Sequence, residues 1–332
     1  MDKKIYFIVN NKKSGSSLLR AYQIKEKLDI FKKKFISKNI RNLNINIIDK
    51  KRIPALYNQS KCICIWLGTI GHNYIKKLSQ HYHILDIIDK YLYYKSVILE
   101  DLNKNIYHKL IVNNKFMKSY FIKNTNFTGD IHVIYHHWDP RLESTKTIIN
   151  NKLVFGYMGS IQSLKHTDNF SYYDILVNKY PIIFMDTELG ADVTKYIKNK
   201  NLNYPIILNI NNIPNYVNFN CDINIRKPET DISYFKTTAK IATAAALNHN
   251  IITTLDESVK DILPINYPFI LKKTDIQSIN NMFKIIINDY NTDKKLWNKG
   301  LKIMKIVKKN LSIDKIILKY YSLLKNFFLK KK

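Results

Sequence analysis

The chain has 332 residues, with 54 Lys plus Arg against 26 Asp plus Glu, a formal net charge of +28, and 45% hydrophobic residues. That length can bury a large core and suits two domains. The charge admits nucleic acid, an anionic membrane or a phosphorylated small molecule as partner. The lysines, however, are spread over the whole length, as on solvated faces, so no nucleic-acid partner is expected. Cys62, Cys64 and Cys221 are too few for a disulfide framework and point to a reducing, cytoplasmic compartment. No run approaches the ~18 apolar residues of a membrane span, and the apolar run after Lys3-Lys4 is too short for a signal peptide.

In chain order, Lys4–Val9 predicts a strand, residues 10–17 a polar loop with Gly15 and Ser16, and Leu18–Phe31 a helix carrying Arg20. Strand, glycine loop and helix open a doubly wound α/β unit, although no G-x-G-x-x-G fingerprint is present. Asn44–Ile48, Cys62–Leu67, His83–Ile88, Val97–Leu99, Leu110–Val112 and Ile131–Tyr135 predict further strands, with a helix at Asn73–Leu78. His136-His137-Trp138-Asp139-Pro140-Arg141 interrupts the alternation and reads as an interdomain crossing. A second α/β run follows. Strands are predicted at Leu153–Tyr157, Pro181–Met185, Pro205–Ile210 and Asp222–Ile225, and helices at Asp168–Asn178 and Ala191–Lys198. From Asp275 to Lys332 the chain reads as helix. Near its end Ile313, Ile316, Ile317, Tyr320, Leu324 and Phe327 fall on one stripe behind Ser312. That stripe predicts packing back onto the domains, with contact to an anionic membrane as the alternative.

The segment Phe235–Leu247 is the most Ala/Thr-rich stretch and predicts a helix capped by Thr237 or Thr238, with Lys240 in its first turn. Asn248-His249-Asn250 ends it, and Ile251–Thr254 follows as a buried strand. A helix N-terminus with hydroxyls and a lysine suits a phosphate, and an ordinary packed helix fits the same residues equally well. Gly159 and Ser160 end the second domain's first strand, where α/β sheets bind ligands. A simple tight turn is the competing reading. His136 is expected as a hydrogen-bonding side chain in a crevice, since a His-His pair alone lacks metal-ligand spacing. Asp186 and Glu188 could clamp a divalent ion, but a solvated strand end explains them better, so no metal is expected.

Four stretches resemble the GT-B nucleotide-sugar glycosyltransferases, in a divergent form like glycosyltransferase family 4. They are Ser14–Arg20 for the first loop and helix, Ile131–Leu142 for the interdomain stretch, Leu153–Ser160 for the donor domain's first strand and turn, and Phe235–Phe269 for the lysine-bearing helix. Together they span almost the whole chain. The resemblance implies two facing Rossmann-like domains, 1–140 on the acceptor side and 141–310 on the donor side, with a C-terminal helix, 311–332, across them. It implies sugar transfer from a nucleotide-sugar co-substrate to a glycan or other hydroxyl acceptor, metal-independent and retaining. Gly159, Ser160, Thr237, Thr238 and Lys240 would hold the donor. Gly15, Ser16 and Arg20 would line the acceptor-side cleft, and His136 and Asp139 would be catalytic. The implied protein is cytoplasmic, with a membrane-peripheral variant. In one respect the sequence departs from the family: Phe235–Asn250 holds no carboxylate, where many retaining members carry two glutamates eight positions apart. A binding protein that has lost the chemistry, or a basic nucleic-acid-binding protein, are the alternatives.

Overall fold

The computed structural model describes residues 4–10, 15–34, 42–68, 71–88, 94–149, 151–159, 170–186, 206–207, 213–227, 235–236 and 239–329. The chain divides into two compact units, the first taking residues up to His137 and from Ile313 onward, the second most of 138–312.

The first unit is a six-stranded parallel sheet in the order β2-β1-β3-β4-β5-β6. Its strands are β1 (Lys4–Val9), β2 (Asn44–Asp49), β3 (Ile63–Leu67), β4 (Tyr82–Asp86), β5 (Lys109–Val112) and β6 (Asp130–Val133). Between β1 and β2 runs helix α1, built from Gly15–Ser17, a π-helical turn Leu18–Tyr22, and Gln23–Lys32. The short helix α2 (His72–Ile75), α3 (Lys95–Asn103) and α4 (Lys115–Asn124) supply the later crossovers. Central strands β3 and β5 are buried at every residue, as expected when helices cover both faces. Val97–Leu99, expected as a strand, lies inside α3. There Ile98, Asp101 and Leu102 are the buried positions, at helical spacing.

The second unit adds β7 (Lys146–Thr147), β8 (Phe155–Met158), α5 (Phe170–Val177), β9 (Ile182–Asp186), β10 (Ile206–Ile207), β11 (Tyr216–Val217), β12 (Cys221–Asn224), α6 (Ala239–Ala246), β13 (Asn250–Thr254), α7 (Glu257–Lys260) and β14 (Ile270–Leu271). Helices α8 (Ile276–Asn291) and α9 (Lys295–Asn310) close it. Its main sheet is parallel, in the order β10-β9-β8-β12-β13-β14, while β7 and β11 form a separate pair. Renumbered within the unit, that order is 3-2-1-4-5-6, the Rossmann arrangement, with its reversal between β8 and β12. The Ala-rich helix is described from Ala239, with Lys240 in its first turn as expected, and its expected caps Thr237 and Thr238 lie outside the described residues. Its end matches the sequence reading, because Asn248 takes φ 59° and the His249 N–H reaches back to Ala244 O. The expected helix 191–198 lies outside the described residues.

Helix α10 (Ile313–Leu329) returns to the first unit. Ile313, Ile316, Ile317, Tyr320, Leu323 and Leu324 share one core with Ile5, Phe7 and Val9. This corrects the membrane alternative for the tail, because that apolar stripe is already buried in protein. Where the chain enters the second unit it is tied to where it leaves. The Trp138 backbone N–H donates to Leu311 O at 3.2 Å, and its indole N–H to Lys308 O at 2.8 Å.

Candidate functional site

In the second unit the strand order reverses between β8 and β12, the kind of switch point at whose carboxyl strand ends open α/β sheets bind ligands. Gly159 lies there, directly after β8. Its φ is +138°, a conformation L side chains rarely adopt, and its N–H donates to Met185 O at 2.8 Å. A Cβ on Gly159 would stand 2.2 Å from the Lys240 ammonium. Glycine is therefore favoured by the backbone conformation, and a side chain there would displace the Lys240 ammonium from its place on the turn.

Lys240 is the second residue of α6, the helix that follows β12. Its Nζ donates to Met158 O at 2.8 Å and stands 3.9 Å from the centre of the Tyr157 ring. The helix thus brings its lysine onto the turn that ends β8, and positive charge gathers at the switch point. Behind it, Tyr157 packs edge-on against Tyr173 of α5 at 5.1 Å. The Tyr173 hydroxyl accepts the Ile225 N–H at 3.1 Å and donates to Ile223 O at 3.3 Å. Tyr173 thereby fixes the carboxyl end of β12 relative to β8, and burial pushes its phenol well above the usual range.

The next strand end is also pinned. The Thr254 hydroxyl accepts from the Arg226 N–H at 2.9 Å and donates to Arg226 O at 3.0 Å. The buried Arg226 guanidinium lies 3.7 Å from Asp256, whose other oxygen caps α7 through the Val259 N–H. Tyr173, Arg226 and Asp256 were missed in the sequence. Their signal was weak, since Tyr173 is one apolar-looking position of helix α5 and Arg226 and Asp256 are charged residues after strands, and the partner of each lies many residues away. Ser160, Thr237, Thr238 and Glu188 lie outside the described residues, and Asp186 ends β9. Among the described residues no group of three or more His, Cys, Asp or Glu could hold a metal ion.

The first unit holds the remaining expected residues. Gly15 is exposed and a Cβ there would meet nothing within 4 Å, while Ser16 is partly exposed. Both sit at the start of α1, after β1. Arg20, expected at a cleft wall, is fully buried instead. Its Nη2 donates to Asp86 at 3.2 Å, Asn113 at 2.9 Å and Ile134 O at 2.9 Å, while Nη1 donates to Tyr135 O at 3.3 Å. The guanidinium fork ties the ends of three strands, a structural role for which its planar donors are suited. Tyr320 of α10 donates to the other Asp86 oxygen at 3.1 Å. Burial raises the Asp86 carboxyl, with Arg20 and Tyr320 acting against the rise.

His136 and Asp139, expected together as catalytic groups, fall in different units. His136 is buried, and neither ring nitrogen has a hydrogen-bond partner among the described residues. Burial first, then the charges of Arg20 and His137, hold its pKa well below the usual value, so its imidazole is neutral near pH 7. Asp139 caps the 3-10 turn Pro140–Ser144, and both its oxygens accept from the Arg141 side chain, one at 2.6 Å. The carboxylate expected as catalytic therefore serves, among the described residues, as a turn cap and ion-pair partner of Arg141.

No protein-family model and no curated protein matches the chain. Solved structures do match, over nearly its full length. HepE of Anabaena, in complex with UDP and glucose, is 13% identical, with 97% of this chain and 99% of that one covered and a TM-score of 0.58. Sucrose-phosphate synthase from Thermosynechococcus elongatus is 10% identical, covers 98% and 99%, and has a TM-score of 0.64. A glycosyltransferase from Rickettsia africae is 12% identical, with both chains fully covered and a TM-score of 0.62. The chain has the fold these proteins share, the GT-B fold of two Rossmann-like domains with C-terminal helices.

Proposed function

We propose that the protein is a glycosyltransferase that moves a sugar from a nucleotide-sugar donor to a hydroxyl acceptor. The observation that carries this reading is the Lys240 ammonium held against the Gly159 turn at the switch point of the second unit's sheet. In transfer, the bond between the anomeric carbon and the diphosphate oxygen breaks and a bond to the acceptor oxygen forms. Negative charge grows on the departing diphosphate, where a fixed ammonium and helix N–H groups stabilise it most. In this reading Gly159, Ser160, Thr237, Thr238 and Lys240 hold the donor. Gly15, Ser16 and the neutral imidazole of His136 serve the acceptor or the transferred sugar. The structural neighbour HepE is described with UDP and glucose, which supports uridine diphosphate as the first nucleotide to try.

Metal independence and retention of configuration belong to the proposal. So does a cytoplasmic location, consistent with three unpaired buried cysteines. Among the described residues no helix is long and apolar enough to cross a membrane. The absence of a carboxylate from Phe235–Asn250, with Asp139 engaged by Arg141, favours a second reading, a nucleotide-sugar binding protein without turnover. Melting curves with UDP, GDP and ADP test the site, because a ligand of the native state raises the midpoint. Release of UDP from UDP-sugars in excess EDTA then separates the readings. Binding with release, and retained anomeric configuration by proton NMR of the product, supports the transferase. Binding without release supports the second reading, and a midpoint that no nucleotide moves refutes both.

A further inference from the structure

The outer face of α9 carries a row of lysines with a different character from the others near it. Lys295, Lys299, Lys302, Lys305 and Lys309 are all exposed, and Lys295–Asn310 contains no Asp or Glu. At 100° per residue the five fall on one side of the helix, spread along about 21 Å of its axis. The opposite side, Trp297, Gly300, Met304 and Val307, is buried against the unit. On α1, by contrast, Lys25 and Lys32 pair with Asp29, and Lys27 with Asp314. No ion pair forms on the α9 row among the described residues. Lys308, turned away from the row, instead donates to Ala246 O at 2.7 Å and so caps α6. In the middle of the row stands Ile306, 60% exposed.

We infer that this face of α9 docks on the surface of a bilayer containing anionic phospholipids. Unpaired ammonium groups on a straight ridge match a plane of negative headgroups, and a protruding isoleucine can enter the acyl boundary between them. Nucleic acid fits less well. Recognition of single strands stacks bases on aromatic side chains, and the exposed residue on this ridge is aliphatic. Base-edge readout favours arginine, and the ridge holds only lysine. The attraction is electrostatic and so falls with ionic strength. The inference stands on α9 alone and does not depend on the proposed transferase.

The test is co-sedimentation of the full chain with vesicles of phosphatidylcholine, with and without phosphatidylglycerol, at low and high salt. Two variants are compared, each losing five charges. One carries glutamine at Lys295, Lys299, Lys302, Lys305 and Lys309. The other carries glutamine at the exposed Lys51, Lys61, Lys76, Lys77 and Lys123. Unchanged urea midpoints show that both variants fold. The wild type is expected to bind only the anionic vesicles, and less at high salt. At about fivefold per lysine, the ridge variant should lose at least roughly 100-fold in partitioning and the control only a few-fold. Ile306→Asn should lower binding with the charge unchanged. Equal losses in the two variants would mean diffuse charge and overturn the assignment. So would no binding to either vesicle, or a ridge variant that loses duplex DNA binding while holding vesicles normally.

Discussion

The Lys240 ammonium stands 3.9 Å from the centre of the Tyr157 ring while donating to the carbonyl of the next residue, Met158. The contact has two faces, one structural and one functional. As a cation–π pair plus a charged hydrogen bond it contributes about 1–2 kcal/mol to the free protein. Lys240→Met is therefore expected to lower the urea-derived stability by that amount. Nucleoside-diphosphate affinity should fall roughly 10- to 100-fold, the range for a charged hydrogen bond. Calorimetric titration with UDP checks this, and unchanged affinity would make the lysine purely structural.

Gly159 offers a sharper version of the same test. Gly159→Ala forces a side chain into a φ of +138° and against Lys240. A stability loss of about 1–3 kcal/mol is expected, with loss of nucleotide binding. Gly15→Ala, where nothing lies within 4 Å, should leave stability unchanged or raise it by up to ~1 kcal/mol. A higher KM for acceptor in Gly15→Ala, with donor affinity intact, would place the acceptor at the start of α1.

The Arg20–Asp86 pair is fully buried. Removing one partner leaves the other charged and desolvated, which costs about 3–5 kcal/mol. Arg20→Met should show a loss of that size in chemical denaturation. A loss below about 1 kcal/mol would mean that the site is hydrated and that the interior role given to Arg20 is wrong.

A group of histidines on the first sheet makes stability depend on pH. His83 Nδ1 accepts the Trp66 indole N–H at 3.2 Å, and its Nε2 meets Leu78 O at 2.9 Å. Burial is the main cause that lowers its pKa from the usual 6.5 to about 4. His81 and His108 likewise accept backbone N–H groups at Nδ1, and burial lowers both. The unfolded chain takes up protons below about pH 6.5, and the folded one does so at His83 only near pH 4. The His83 contribution is therefore complete above pH 6.5 and is lost as pH falls through 4. It amounts to on the order of 3 kcal/mol. Urea midpoints across that range should fall less steeply for His83→Gln, whose amide oxygen still accepts from Trp66. A parallel fall in both proteins would assign the effect to other groups.

Much of the architecture was legible because it is periodic. Short apolar strands and helical stripes announced the alternating α/β run, and the α10 stripe was read correctly from Ile313 to Leu324, while the Phe327 side chain lies outside the described ones. Leu323, outside the expected stripe, is buried because the apolar face is wider than a single row. Val97–Leu99 misled because three apolar residues fit either period, and only the buried Ile98, Asp101 and Leu102 decide for helix. At the candidate site the sequence showed Lys240 and Gly159 but not their contact, which joins residues 82 positions apart along the chain from Met158 to Lys240. Arg20 misled for the same reason. Its partners Asp86, Asn113 and Ile134 lie at or just past the ends of three strands, and nothing near Arg20 announces them. Asp139 was read as catalytic through the family resemblance, and its sequence neighbours did not show that its carboxylate pairs with Arg141 while capping the 3-10 turn.

The sharing of one core between β1 and α10 bears on how the protein is made. Ile5, Phe7 and Val9 leave the ribosome long before Ile316, Tyr320 and Leu324, which cover them. At ~5–20 residues per second the interval is roughly 15–60 s. Through that time the nascent first sheet has an uncovered apolar face, a natural client for a holding chaperone. The second unit is translated wholly within the wait, so the unit begun later is the earlier one able to finish folding.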